Sequence, residues 1–273
     1  MIFPLDSNTG HLPQQGGRRL CTSFINNPQE TLKLVSIVTV VLNAASTIST
    51  LIASVKNRPN NIEFVIIDGG STDGTLDIIR NNDEIIDYWI SEPDEGIYDA
   101  MNKSLELVSG KWVIFLGSDD QLLADLSKIT IQFKFGTSYY GNVRMKKSGS
   151  SYDGQFSRYR LILQNICQQA IFYDVHLLKM RRFNLKYKIA SDYDMNLYLF
   201  GQGAHLTYLN EEIAIFNDEG LSSTKTDLLF KSDFRKLIFS YYPRMYIIIY
   251  FFGKAHYIYK RSVYYFRKYF FSI

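Results

Sequence analysis

Between residues 34 and 116 the chain alternates short unbroken apolar runs with stretches in which apolar residues return every three or four positions. Leu34 to Leu42 (LVSIVTVVL) is β-branched and lacks a polar face, which predicts a strand buried on both sides. Ala44 to Lys56 then carries Ile48, Leu51, Ile52 and Val55 at helical spacing, and Pro59 closes that helix. Ile62 to Ile67 predicts a second buried strand, and Thr75 to Arg80 a second helix behind a Gly/Ser/Asp turn. Ile85 to Ile90, Ile97 to Val108 and Trp112 to Leu116 continue the series as strand, helix and strand. Such alternation predicts an α/β fold, a Rossmann-like, mostly parallel sheet with helices on both faces and ligands at the carboxyl ends of the strands.

The second half is less regular. Ser138 to Met145 and Gln169 to Tyr173 suggest strands, Val175 to Met180 and Tyr193 to Phe200 helices, and Ala204 to Leu209 with Ile213 to Phe216 a final strand pair. Residues 1–33 are polar, hold three of the six prolines and show no sustained period, so they are expected to form an irregular arm.

Composition changes this picture mainly at the C-terminus. Residues 241–273 hold 14 aromatic residues, six basic residues (Arg244, Lys254, Lys260, Arg261, Arg267, Lys268) and no acid. Without those six charges the formal +3 of the chain becomes −3 for residues 1–240. A mildly acidic body argues against a nucleic-acid binder whose basic footprint covers the fold. On a helical projection of Lys254 to Phe271 the basic residues share one arc and most of the aromatics the other, which suits either a helix lying in an anionic membrane surface or one packed on the domain. No run reaches the roughly 18 apolar residues needed to span a bilayer, and Met245 to Phe252 is stopped by Gly253 and Lys254. Cys21 and Cys167 match neither a disulfide framework nor a zinc spacing, and the N-terminus does not read as a signal peptide; a cytoplasmic protein is expected.

Polar residues recur just past the predicted strand ends: Asn43, then Asp68 to Thr75 (DGGSTDGT), Glu92 to Gly96, and Ser118-Asp119-Asp120. Taken singly, Ser71 or Asp73 can simply cap the next helix. Neither the dinucleotide glycine fingerprint nor a phosphate-loop motif is present, which counts against a dehydrogenase or a P-loop NTPase. Asp119 and Asp120 are harder to assign to a cap. Adjacent carboxylates repel each other, whereas a hard divalent cation, magnesium or manganese, offsets both charges. In Ala190-Ser191-Asp192-Tyr193-Asp194 two acids open a predicted helix, more than a cap needs, and either could act as a general base.

The series LVSIVTVVLNAA, EFVIIDGGSTDGT, SEPDEGIYDAMNKS, KWVIFLGSDD and IASDYDMNLYL resembles the family 2 glycosyltransferases with a GT-A fold, most closely the bacterial branch that builds O-antigen, capsule and exopolysaccharide. The resemblance covers roughly residues 33–217 and implies a nucleotide-binding half at 34–120 and an acceptor half at 121–225; residues 226–273 are expected to form a C-terminal helical segment that either associates with a membrane or packs on the domain. It implies that Thr39, Asn43 and Asp68 form the nucleotide pocket, that Asp94 and Asn102 lie on the donor side, and that Asp119 and Asp120 hold Mn2+ or Mg2+. Asp192 matches the expected base, with Asp194 the second choice. Three positions depart from the pattern: Gly117 and Ser118 replace the leading residues of the metal motif, Ser191 stands where the family carries Glu, and Gln168 stands where many relatives carry His.

The function so implied is inverting transfer from a nucleotide-sugar donor, a UDP-sugar, to a hydroxyl of a saccharide linked to polyprenyl diphosphate, on the inner face of the cytoplasmic membrane. A sugar-1-phosphate nucleotidyltransferase is a rival, but LNAAST after the first strand offers no basic phosphate loop. A catalytically silent membrane scaffold is the other.

Overall fold

The computed structural model describes residues 13–20, 33–152, 154–220 and 225–243. The aromatic and basic tail beyond residue 243, including Met245 to Phe252, lies outside them, as does Cys21. In chain order the elements are β1 (Gln14–Gly16), β2 (Val35–Val41), α1 (Ile48–Val55), β3 (Ile62–Asp68), α2 (Thr75–Arg80), β4 (Tyr88–Ser91), α3 (Ile97–Leu107) and β5 (Trp112–Phe115). They continue as β6 (Gln121–Leu122), α4 (Leu126–Ile129), β7 (Thr137–Met145), β8 (Ser151–Tyr152), α5 (Arg158–Leu163), β9 (Ile171–Asp174), α6 (Val175–Arg181), α7 (Ser191–Gly201), β10 (His205–Phe216) and α8 (Leu228–Tyr241).

All strands but β8 lie in one path, β1-β4-β3-β2-β5-β9-β7-β10-β6, and β8 pairs with β7. The block β4-β3-β2-β5 is parallel throughout, as the strand and helix alternation requires. β9 is antiparallel to both β5 and β7, so β7 and the parallel β10 point the same way as the first block. The carboxyl ends of β2, β3, β4, β5 and β10 therefore open on one edge of the sheet.

Hydrophobic side chains fill both faces. Ile48, Leu51, Ile52 and Val55 of α1 pack with Ile37, Phe64, Ile66 and Ile114 on one side. Tyr98, Met101 and Leu105 of α3 pack with Val38, Val65, Phe115, Leu161 and Met195 on the other. Each sheet face is thus removed from water by helices.

Two segments differ from expectation. Within the arm read as irregular, Gln14–Gly16 pairs antiparallel with β4, because Gly16 lies flat on Trp89, where a Cβ would meet the indole at 2.5 Å. The following turn anchors on two fully buried acids: Arg18 pairs with Asp87 at 2.5 Å, and Arg19 pairs with Glu63. Burial pushes the Asp87 carboxyl up, but the Arg58 guanidinium at 2.5 Å and hydrogen bonds from Phe64 and Arg18 outweigh it and hold the group below the usual carboxylate range. The expected final strand pair is a single strand, β10, with its register against β7 broken between Tyr208 and Ala214. The polar stretch Asn210 to Glu212, which reads as a turn, is accommodated as an irregularity because Gly141 of β7 lets the backbone of Glu211 approach; a Cβ there would meet its carbonyl at 2.6 Å.

Candidate active site

The loops after β2 and β3 are stitched together. Asn43, at φ 53°, adopts the left-handed conformation that a short amide side chain tolerates. Its N–H donates to Ser71 Oγ at 2.8 Å, and its Oδ1 accepts from Thr72 N–H at 2.9 Å. Ala44 and Ala45 N–H donate to Thr75 Oγ1 and Asp73 Oδ2 at 2.8 and 3.0 Å, so residues 44–47 form a turn and α1 begins four residues later than its apolar period suggests. Asp73 does cap the turn at Thr75, but it also fixes the neighbouring loop. Asp68, fully buried at the end of β3, accepts from Ser71 N–H at 3.0 Å and from Ser91 Oγ at 2.6 Å. Asp94 closes over this edge: a Cβ on Gly69 would meet its Oδ2 at 2.5 Å, and its Oδ1 accepts from Gly96 N–H at 2.8 Å. Asn43, Asp68 and Asp94 thus converge.

Two expected nucleotide contacts do not join them. Thr39 is fully buried inside β2, on the same face as Ile37 and Val41 that α1 covers, and its Oγ1 lacks a hydrogen-bond partner. Asn102 spends its carboxamide on the backbone of Phe183, donating to the carbonyl at 2.9 Å and accepting the N–H at 2.8 Å. It fastens α3 to the segment after α6 rather than facing a ligand. Asn102→Ala is therefore expected to cost about 1–3 kcal/mol, the penalty for orphaned buried polar groups, read as a lower urea midpoint, while the folded variant keeps its donor KM.

Asp119 and Asp120 follow β5. Asp120 is buried; its Oδ2 accepts from Gly117 N–H at 2.7 Å and its Oδ1 from Asn217 N–H at 3.0 Å. Asp119 Oδ2 accepts from Asn217 Nδ2 at 2.6 Å. The departure at Gly117 has a steric cause, since both carboxylates lean over its Cα and a Cβ there would meet Asp120 Oδ2 at 2.8 Å and Asp119 Oδ1 at 2.9 Å. Burial pushes the Asp120 carboxyl up to about 7, and the Asp119 charge adds to this against the pull of the Asn217 and Gly117 N–H groups.

Asp192 and Asp194 sit in the first turn of α7 and separate cleanly. Asp194 is buried against Arg181 at 2.8 Å and Tyr241 Oη at 3.1 Å, binding α7 to α6 and α8. Its carboxylate is committed to that ion pair. Asp192 is only partly buried; its Oδ1 is 2.8 Å from Tyr98 Oη and its Oδ2 accepts from Asn165 Nδ2 at 2.7 Å. Burial raises its carboxyl, opposed by the Tyr98 hydroxyl, the Tyr193 N–H and Asn165. Ser191, at the family's Glu position, is buried with its Oγ unpartnered, so that departure supplies no second acid.

The segment before β9 links the two acidic centres. The Cys167 thiol feels both Asp120 and Asp192, and Gln169 bonds Asp120 while accepting from Cys167 Sγ at 3.1 Å. Gln168 instead turns toward Met101 Sδ at 3.6 Å. Asn217 and Asn165 escape the sequence reading because they come from distant elements and complete no local pattern, whereas Tyr98 lies inside the SEPDEGIYDAMNKS stretch but meets Asp192 only in the fold; Asn217, at the end of β10 and pointing the same way as β5, is reachable from topology.

Residues 36–191 match the family model described as glycosyl transferase family 2. The chain belongs to glycosyl transferase family 2. It is 34% identical over 207 residues, covering 70% of this chain and 80% of the relative, to the PGL/p-HBAD biosynthesis glycosyltransferase of Mycobacterium bovis. Among solved structures, S. aureus TarS is similar with a TM-score of 0.59 at 18% identity, over 76% of this glycosyltransferase and 39% of TarS. TarS 1–349 in complex with UDP-GlcNAc gives 0.57 at 17%, over 76% and 65%. The mannosyltransferase PcManGT from Pyrobaculum calidifontis, in complex with GDP-Man and Mn2+, gives 0.54 at 14%, over 78% and 64%. At such identities the likeness shows the fold, which is GT-A, and this glycosyltransferase spans less than two thirds of TarS and of PcManGT. Family membership sets aside the nucleotidyltransferase. No helix among the described residues is long and apolar enough to cross a membrane.

Proposed function

We propose that this glycosyltransferase moves a sugar from a UDP-sugar to a hydroxyl of a lipid-linked saccharide, with inversion, in surface polysaccharide assembly at the inner membrane face. The observation that carries this is Asp192: a half-buried residue whose carboxylate is held on both oxygens and whose charge reaches the same Cys167 thiol as that of Asp120. UDP-GlcNAc bound to TarS 1–349 supports the choice of nucleotide. In this reading Asn43, Asp68 and Asp94 cradle the nucleoside, and Asp192 removes the proton of the attacking hydroxyl.

Asp119 and Asp120 fit a hard divalent cation. Their carboxylates converge over Gly117, where burial and mutual repulsion disfavour the second negative charge. Among the described residues no third His, Cys, Asp or Glu joins them, so donor phosphate oxygens and water would have to supply the remaining ligands of Mn2+ or Mg2+. When bound, the ion neutralises the departing diphosphate. Asn217 holds both acids in place.

Incubating the protein with a panel of UDP-sugars and Mn2+, without acceptor, tests this with water in the acceptor's place. UDP release from one sugar, lost in EDTA, is expected, with the freed sugar first appearing in the inverted anomeric form by NMR. Release unaffected by EDTA counts against the metal, and a retained anomer counts against single displacement.

A further inference from the structure

We infer that Tyr98 and Asn165 are positioning residues that tune the base, Tyr98 keeping the Asp192 carboxyl hydrogen-bonded both before and after it takes a proton. The inference rests on Asp192 being the base and adds the device that lets it work. An ionised carboxylate only accepts hydrogen bonds, which fixes the direction of everything attached to it. Asn165 must therefore turn its Nδ2 to Asp192 Oδ2, at 2.7 Å. Its Oδ1 then accepts from Asn196 Nδ2 at 2.8 Å, and Asn196 Oδ1 accepts from Tyr173 Oη at 2.9 Å. Asn196 and Tyr173 are fully buried, so the chain is locked and Asn165 can only donate.

Oδ1 has a different kind of partner. Tyr98 Oη lies 2.8 Å from it and 2.6 Å from the carbonyl of Ile189, and a hydroxyl has one proton for two acceptors. Ile189 is itself fixed, its N–H donating to Asp227 Oδ2 at 3.0 Å. With Asp192 ionised, the Tyr98 proton points at Oδ1. As the acceptor oxygen bonds to the anomeric carbon, the diphosphate leaves with the pair of the breaking C–O bond and the acceptor O–H proton goes to Oδ1. The Tyr98 hydroxyl then turns its proton to the Ile189 carbonyl and accepts the new Asp192 O–H. Asp192 Oδ1 keeps a hydrogen bond to Tyr98 in both states, and the packing of Tyr98 on Phe183, centroids 5.6 Å apart, holds the ring while the hydroxyl turns. The ionisable side chains that feel Asp192 are Tyr98, Tyr173, Tyr193 and Cys167, all pushed up by burial and neutral at pH 7.

The bond from Tyr98 to the charged carboxylate is stronger than the neutral one that replaces it, so losing both raises the proton affinity of Asp192. Tyr98→Phe keeps the ring and should lower kcat about 10-fold at pH values on the acid limb, where less of Asp192 is then ionised, the difference between a hydrogen bond to a charged and to a neutral group. The donor KM should stay unchanged, and the acid limb of the kcat profile should move to higher pH. Asn165→Ala should move the same limb the same way and serves if Tyr98→Phe does not fold. A purely structural role would lower the melting temperature and leave the limb in place. An unmoved limb in a folded variant overturns the inference, whereas undiminished turnover in Asp192→Asn overturns the base itself, so the two failures are distinct.

Discussion

Asp192→Asn is expected to lower kcat by about 10²- to 10⁴-fold, the usual contribution of a general base, with the donor KM unchanged. The substitution is nearly isosteric, and its local cost is small because Tyr98 can turn its proton fully to the Ile189 carbonyl, already 2.6 Å away. One amide oxygen remains to accept from Asn165. What is lost is the lone pair that receives the acceptor's proton. The neighbouring acid supplies the control. Asp194→Asn loosens the Arg181 pair and the Tyr241 contact that bind α7 to α6 and α8, so it should cost about 1.5–3 kcal/mol of stability and leave the folded fraction turning over. Initial rates at saturating donor, with the folded fraction from a urea curve, separate the two. Equal kcat for Asp192→Asn and wild type would remove Asp192 from the chemistry.

The contrast between these two acids shows what a sequence carries and what it does not. Both open the same helix two residues apart, and local spacing gives no ground for choosing between them. The choice is made by Arg181, Tyr241, Tyr98 and Asn165, which arrive from four other segments. The parallel block was legible because β2 and β3 are buried on both faces and α1 shows its apolar stripe directly. β6 and β8, with two residues each, are too short to show any period. β1 is polar and forms through Gly16 on Trp89 and through two arginines reaching buried acids, none of which leaves a periodic trace. Thr39 and Asn102 fail differently: the motif gives their position along the chain, but strand alternation turns one under α1 and the Phe183 backbone occupies the other.

Asp119→Ala is expected to lower kcat/KM for the donor by at least about 100-fold, since charge neutralisation by a metal at a leaving diphosphate supplies several kcal/mol. Asp119 is the better of the two acids to remove. Asp120 accepts backbone N–H groups from Gly117 and Asn217, so its loss would unsettle the ends of β5 and β10 along with the charge. Asp119 gives up one side-chain bond, from Asn217 Nδ2, and its removal also relieves the repulsion that helps raise Asp120. The folded loop should therefore survive while the ion loses a ligand. Calorimetric titration with a UDP-sugar separates this from general damage. In EDTA the variant and the wild type should bind alike through Asn43, Asp68 and Asp94, and only the wild type should gain affinity when Mn2+ is added. An equal gain in both would mean that the ion sits elsewhere. Taken with Asp192→Asn, which is expected to bind donor normally in Mn2+ and fail to turn it over, the pair separates holding the leaving group from activating the acceptor, at two acidic centres that both act on the Cys167 thiol.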